Sequence, residues 1–335
     1  MAALRRGLEG IAFLGAGLNR PECVLAHESG LIFVADWTGQ GGVTVVRPDG
    51  TTHRILAQEA AGPLRPNGIA LEPGGTFLLA HLGDDAGGVW RLSADGGVAP
   101  VLQQIDGHRL PPTNFVWPDG QGRIWVTVST RMQPRHRAAR ADVADGFIVL
   151  IDHSGARVVA DALGYANEAL ISPHDGRLYV NETFARRLSS FAITRDGSLV
   201  DRRVAATFGP GVFPDGLAFD AEGGIWITSI ISNRLIHVRP DRSWQVIVED
   251  AETDELADVD AACAAGRFDR ALLASVGLRQ LRNISSLAFG GDDLRTGYLG
   301  SLNASTIPHL RLPVTGAPLP HWRVPLGPLA GFAAA

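Results

Sequence analysis

The chain has 335 residues, a formal net charge of −5 and 45% hydrophobic residues, enough for a sizeable core and without the basic stripe that nucleic acid requires. It contains no lysine, its 30 basic residues all being arginine, which excludes Schiff-base catalysis, covalent pyridoxal phosphate and a phosphate-loop lysine. No apolar run is long enough to predict a membrane span, and the two cysteines, Cys23 and Cys263, make no disulfide framework, so a cytoplasmic protein is expected.

In chain order, residues 1–17 faintly mimic a signal peptide. Glu9 interrupts the stretch and no cleavage site follows, so residues 10–15 read instead as a strand that closes a repeat array. The repeat itself begins at Arg20-Pro-Glu22-Cys-Val-Leu. It recurs as Arg65-Pro-Asn67-Gly-Ile-Ala-Leu, Pro112-Thr-Asn114-Phe-Val-Trp, Tyr165-Ala-Asn167-Glu-Ala-Leu, Phe213-Pro-Asp215-Gly-Leu-Ala-Phe and Asn283-Ile-Ser285-Ser-Leu-Ala-Phe. The polar residues are 45, 47, 53, 48 and 70 positions apart. Periods of this size belong to four-stranded propeller blades.

In five units a glycine turn follows each polar residue, and then a run of β-formers: 31–35, 77–80, 123–129, 178–181 and 225–229, with 297–301 as the sixth. Third strands are predicted at 42–47, 88–92, 146–152, 188–193, 234–239 and 309–312, and turns such as Arg47-Pro-Asp-Gly lead to an outer strand. The fold class is therefore all-β: a six-bladed β-propeller of four-stranded blades, one domain over 1–335, with 10–15 removing the open edge of the last blade. A β-sandwich, the alternative, leaves the joint recurrence of polar, glycine and strand frames unexplained. If each polar residue opens an innermost strand, Glu22, Asn67, Asn114, Asn167, Asp215 and Ser285 ring one tunnel. Such a ring, oxygen-rich with two carboxylates, suits a hard divalent cation.

The loops between second and third strands then surround the mouth of the tunnel: 37–41, 81–87, 130–145, 182–187, 230–233 and 302–308. The longest carries Arg131, Arg135, Arg137 and Arg140 with His136. It reads as a lid that draws in an anionic or polyol substrate through Arg131 and Arg135, or else as solvated surface. Between blades five and six, 249–260 is acidic and 261–281 rich in alanine and leucine. This predicts a short helical insertion, one helix capped by Thr253 and carrying Leu256, Val259 and Cys263, a second capped by Asp269 and carrying Leu272, Leu273 and Val276. It is expected to pack on the surface, the alternatives being a cover for the mouth or a subunit contact. There is no Gly-x-Ser-x-Gly elbow and no His-x-x-x-His pair, so chemistry falls to carboxylates, amides, arginines or a metal.

The frames Arg20-Pro-Glu22, Asn114, Tyr165-Ala-Asn167 and Phe213-Pro-Asp215-Gly-Leu-Ala-Phe-Asp220, with Leu287-Ala-Phe-Gly-Gly-Asp-Asp-Leu, resemble the senescence-marker-protein/gluconolactonase/luciferin-regenerating-enzyme family over nearly the whole chain. The resemblance implies a six-bladed propeller with one divalent cation on its axis, held by Glu22, Asn114, Asn167 and Asp215. Diisopropylfluorophosphatase is similar in that ligand set. It also implies hydrolysis of a lactone, with Asp215 as the base. Lactonase members commonly carry Arg two residues before the first ligand Asn, Asp just after it, and Gly after the second; here the positions hold Pro112, Phe115 and Glu168. The cation site is thus matched and the sugar-reading positions differ.

The expected protein is a divalent-metal-dependent hydrolase of a lactone, calcium being the first choice of ion, with zinc, manganese and magnesium as alternatives. Phosphotriester or epoxide hydrolysis, a strictosidine-synthase-like condensation, and a non-catalytic propeller with a structural ion are the competing readings. Asn67 is expected to hold water or substrate, or to cap its own strand. Glu168 is a further substrate-binding candidate, which strand alternation turns away from the mouth. The expected partner is a small molecule, with no nucleic acid or membrane, and the protein a monomer or weak homo-oligomer.

Overall fold

The repeat frames fold, in a computed structural model that describes residues 8–58 and 62–333, as six four-stranded antiparallel sheets. The start of the leader-like stretch, residues 1–7, lies outside the described residues. Five sheets run from inner to outer strand in sequence order. The inner strands are Val24–Ala26, Pro66–Glu72, Thr113–Pro118, Ala166–Ile171 and Pro214–Phe219. The sixth sheet starts with Ile284–Gly290 and takes its outermost strand, Ala12–Leu14, from the other end of the chain, paired antiparallel to Ile307–Arg311. Each inner strand packs on the next, and the last returns to the first, so the ring is closed and has no free inner edge. Among the described residues no helix is long and apolar enough to cross a membrane.

The second strands, such as Ile32–Asp36, Ile124–Val128 and Ile225–Ser229, are buried almost throughout, as expected of sheets covered on both faces by neighbouring blades. Phe33 packs on Phe77 across the first blade boundary, ring centroids 5.3 Å apart. Trp125 and Trp226 are fully buried, their indole N–H groups donating to Asp119 and Asp220 at 3.0 and 2.9 Å.

In blades two to six the pairing with the second strand slips at the first residues: between Pro66 and Ile69, Thr113 and Phe115, Ala166 and Ala169, Pro214 and Leu217, and Ile284 and Ser286. Each polar residue of the frame sits inside its slip. A bulge of this kind leaves a residue outside the ladder and re-aims its side chain. Gly216, next to Asp215, is needed there: a Cβ would lie 2.4 Å from the Ser285 carbonyl oxygen of the next blade.

Two helices fill the step between blades five and six. Helix α1, Thr253–Ala264, buries Leu256, Val259 and Cys263, and helix α2, Arg270–Ser275, is capped by Asp269, whose carboxylate accepts from the Leu272 N–H at 2.8 Å. Thr253 is the first helical residue of α1; the cap position is Glu252, and its side chain makes no capping bond. The far end of the tunnel is closed by a segment that carries no repeat frame, residues 317–332, with 3-10 turns at Pro320–Arg323 and Gly327–Phe332.

Candidate active site

The floor of the mouth is made by the bulged strand starts. Glu22 follows Arg20, which takes a left-handed φ of 56°, and Asn167 follows Tyr165 at φ 70°. These turns bring the chain onto the axis just before the strands begin. Glu22 Oε2, Asn67 Oδ1, Asn114 Oδ1 and Asp215 Oδ2 are all enclosed and accept no hydrogen bond. Asn167 Nδ2 donates to Thr183 Oγ1 at 3.1 Å, and Thr183 in turn donates to the Pro214 carbonyl at 2.8 Å, which fixes the Asn167 amide plane. Asn181 donates to the Asp215 carbonyl at 2.9 Å and so holds the backbone that carries this carboxylate. Ser285 differs: its hydroxyl donates to the Glu22 carbonyl at 2.7 Å and ties blade six to blade one.

Burial, then the charges of Glu22 and Glu168, push the Asp215 carboxyl well above the usual range, while Arg135 and Arg20 pull it down. Carboxylate and amide oxygens enclosed without donors cost about 1–3 kcal/mol each unless something takes them. Two carboxylates beside two amide oxygens form a hard-oxygen donor set for a divalent cation. Arg20 Nη2 lies 2.8 Å from Glu22 Oε2, as an ion-pair contact out of line for a hydrogen bond.

Glu168 is not in the mouth wall. It lines a narrow axial cavity of about 30 Å³ beneath the ring, with Cys23, Ile69, Phe115, Leu217 and His321. Its Oε2 accepts from the Leu217 N–H at 3.0 Å, and burial pushes its carboxyl up to about 8. Cys23 faces the same cavity, and burial raises its thiol well above the usual range.

Above the ring opens a cavity of about 390 Å³. Arg20, Trp37, Arg135, Tyr165, Phe268 and Leu273 are among its walls. Of the four arginines on the long loop, Arg135 alone is in the wall. Its Nε donates to the Tyr165 hydroxyl at 2.8 Å. Arg131 points outward, bidentate to Asp161 at 2.8 and 2.9 Å and stacked 4.2 Å from the centre of the Phe147 ring. Its expected role at the mouth is therefore replaced by a blade-edge contact. Arg140 pairs with Asp142, and Arg137 is exposed. The helical insertion does reach the mouth: α2 supplies Arg270 and Leu273, and Arg270 pairs across the opening with Asp84 at 3.0 Å. A surface-packing role was the leading expectation for it. Alternating apolar residues show only that a helix has a buried side. The ring residues themselves line neither the mouth cavity nor a larger open groove near Trp117, Arg195 and Trp322; the cavity is tied to the ring by Arg20 and Tyr165, the lead-ins to Glu22 and Asn167.

A sequence model described as the SMP-30/Gluconolactonase/LRE-like region matches residues 20–251. The chain is similar to a 6-deoxy-6-sulfogluconolactonase of Pseudomonas putida, 28% identical over 237 residues that span 70% of this chain and 67% of the relative. In structure it is similar to a gluconolactonase of Xanthomonas campestris, with TM-score 0.65 and 22% identity over 90% of this chain and 89% of the other. It is also similar to a calcium-binding protein, regucalcin, of Agrobacterium tumefaciens, with TM-score 0.63 and 15% identity over 96% of this chain and 100% of the other.

Proposed function

This chain belongs to the SMP-30/Gluconolactonase/LRE-like family, and on that premise we propose that it is a divalent-metal-dependent hydrolase of a sugar-type lactone. The observation that carries the reading is the set of enclosed acceptor oxygens on Asn114 and Asp215, at the starts of their inner strands and without a donor, together with Glu22 just ahead of the first inner strand, whose Oε2 has only the Arg20 ion-pair contact. With Asn167 they would hold the cation, calcium being the ion that best suits four oxygen donors of this kind. When bound, such a cation supplies Lewis-acid polarisation of a carbonyl and acidifies water.

The chain's own residues supply the rest. Asp215 Oδ2 takes a proton from the water that adds to the lactone carbonyl carbon, and returns it to the ring oxygen as the C–O bond opens, leaving the hydroxy acid. Arg20 and Arg135 oppose the burial and the Glu22 and Glu168 charges that push this carboxyl up. Asn67, whose Oδ1 is enclosed and unmet on the neighbouring strand start, orients water or a substrate hydroxyl. Thr183 and Asn181 keep the Asn167 amide and the Asp215 backbone in place. Phe268, Leu273 and Trp37 narrow the opening and limit bulk water around the reacting ester.

The test is hydrolysis of a lactone panel by the purified chain, with and without a chelator. The expected result is turnover that a chelator abolishes and that calcium, manganese, magnesium or zinc restores. Chelator-insensitive turnover, or no lactone hydrolysis beside phosphotriester or epoxide hydrolysis, overturns it.

A further inference from the structure

The mouth holds a half-buried guanidinium that no carboxylate contacts, Asp215 acting on it only through space. Arg135 meets only neutral partners, the Tyr165 hydroxyl at 2.8 Å and the Tyr165 ring at 5.4 Å. Its Nη1 is enclosed and reaches no acceptor, and no ion pair joins it among the described residues. A guanidinium taken out of water without a carboxylate or carbonyl is costly, and the cost points to a ligand that completes it. Beside it, Arg20 lies 4.3 Å over the Trp37 ring, with its own Nε enclosed and unmet. The single carboxylate that Arg20 touches, Glu22, is also a member of the oxygen ring below.

The acidic residues of the same wall do not cancel this charge. Asp84 is 81% exposed and committed to Arg270, itself 70% exposed. Asp269 is exposed and caps α2, and Asp85 is exposed on the rim, where its carbonyl accepts from Gln133. Negative charge thus stands at the solvent edge of the opening and positive charge inside it. Trp37, Leu82, Phe268 and Leu273 make much of the remaining wall apolar, with His136 and Asn303 its other polar side chains, so a charged group entering here finds two guanidinium forks.

We propose that Arg135, with Arg20 beside it, seats an anionic substituent of the substrate, a carboxylate, sulfonate or phosphate carried away from the reacting carbonyl. The inference rests on the lactone-hydrolase reading of the site for its substrate, though the anion seat can be measured without turnover. Its specificity device is the planar fork, which takes two oxygens of such a group at once.

The experiment compares glucono-1,5-lactone with its 6-phospho derivative and with glucarolactone, on the wild-type chain and on Arg135→Gln. The wild type should favour the charged lactones in kcat/KM, and Arg135→Gln should raise KM for them by about 10–100-fold while KM for the neutral lactone shifts less than about twofold, any loss of kcat through Asp215 being common to all of them. Which charged lactone loses most separates phosphate from carboxylate recognition. Arg135→Lys, which keeps the charge and loses the fork, should fall between. Arg131→Gln, outside the wall, should leave every constant unchanged. Equal rises of KM on neutral and charged lactones, or no preference in the wild type, overturn the proposal. Calorimetric titration of the metal-free protein with inorganic sulfate gives the second readout. Binding that weakens at least about tenfold in Arg135→Gln supports the seat even if no lactone is hydrolysed, in which case the hydrolase reading alone falls. Absent or unaltered sulfate binding overturns the seat.

Discussion

The two ends of the central tunnel are built by the same six inner strands, and they are finished in opposite ways. At the mouth, Asn67, Asn114 and Asp215 present enclosed oxygens that nothing meets, and Glu22 one that only Arg20 approaches. At the far end, residues 317–332 fold across the opening, and Leu319, Trp322, Leu326 and Leu329 fill it. There the polar groups are met: His27 Nε2 lies 3.0 Å from the Val324 carbonyl, and the Glu28 N–H donates to the Trp322 carbonyl at 3.0 Å. In blades two to five the inner strand thus runs from a bulge that presents a ring residue to a regular ladder that serves packing. Changes at the mouth should cost rate, and changes at the far end should cost stability.

The strongest way to break this division is Asp215→Asn. The amide keeps a coordinating oxygen and loses the proton acceptor, so kcat should fall about 10²–10⁴-fold in the fully metallated protein. Metal content by elemental analysis should stay near wild type, and turnover close to wild type would remove Asp215 from the base role. At the other end, Leu329→Ala empties a fully buried site and should lower the free energy of unfolding by about 2–5 kcal/mol in urea titrations. Its kcat/KM per folded molecule should be unchanged; a parallel loss of rate would mean that the two ends are coupled.

The repeat period, glycine turns and β-forming runs were enough to read the blades and the closing strand from the sequence. The polar frame was also legible, because six similar hexapeptides at a near-constant step need no tertiary information. What the sequence hides is side-chain direction. Alternation turns Glu168 off the mouth, yet a register slip between Ala166 and Ala169 breaks the alternation, and Glu168 lines the axial cavity. Arg131 and Arg135 look equivalent in a loop, and a carboxylate from a distant strand, Asp161, decides that only one faces inward. Arg20 reads as a lead-in to Glu22, and its stacking on Trp37 shows only in three dimensions. The closing segment carries no frame at all; its Pro, Leu and Trp content is the single hint that it packs.

A smaller effect sharpens the far end. Burial, then the nearby His27, holds the His321 imidazole down to about 4. The unfolded chain takes up a proton near the ordinary value of about 6.5, which the folded chain refuses until about 4. Stability should therefore fall as pH drops through that window, by up to about 1.4 kcal/mol per pH unit for this one group. His321→Gln should flatten that part of the profile; an unchanged slope would show that other groups carry it. Smallest of all, Arg131→Gln removes an exposed ion pair and should change stability by less than about 1 kcal/mol in the same titrations.

The measurement that bears most directly on the contrast is a cation titration of chelator-stripped protein by calorimetry, wild type against Asn114→Leu. The account predicts one calcium-class site per chain in the wild type, and binding at least about tenfold weaker when one of the four ring oxygens is removed. No binding of calcium, manganese, magnesium or zinc by the wild type, or equal binding by Asn114→Leu, would contradict it.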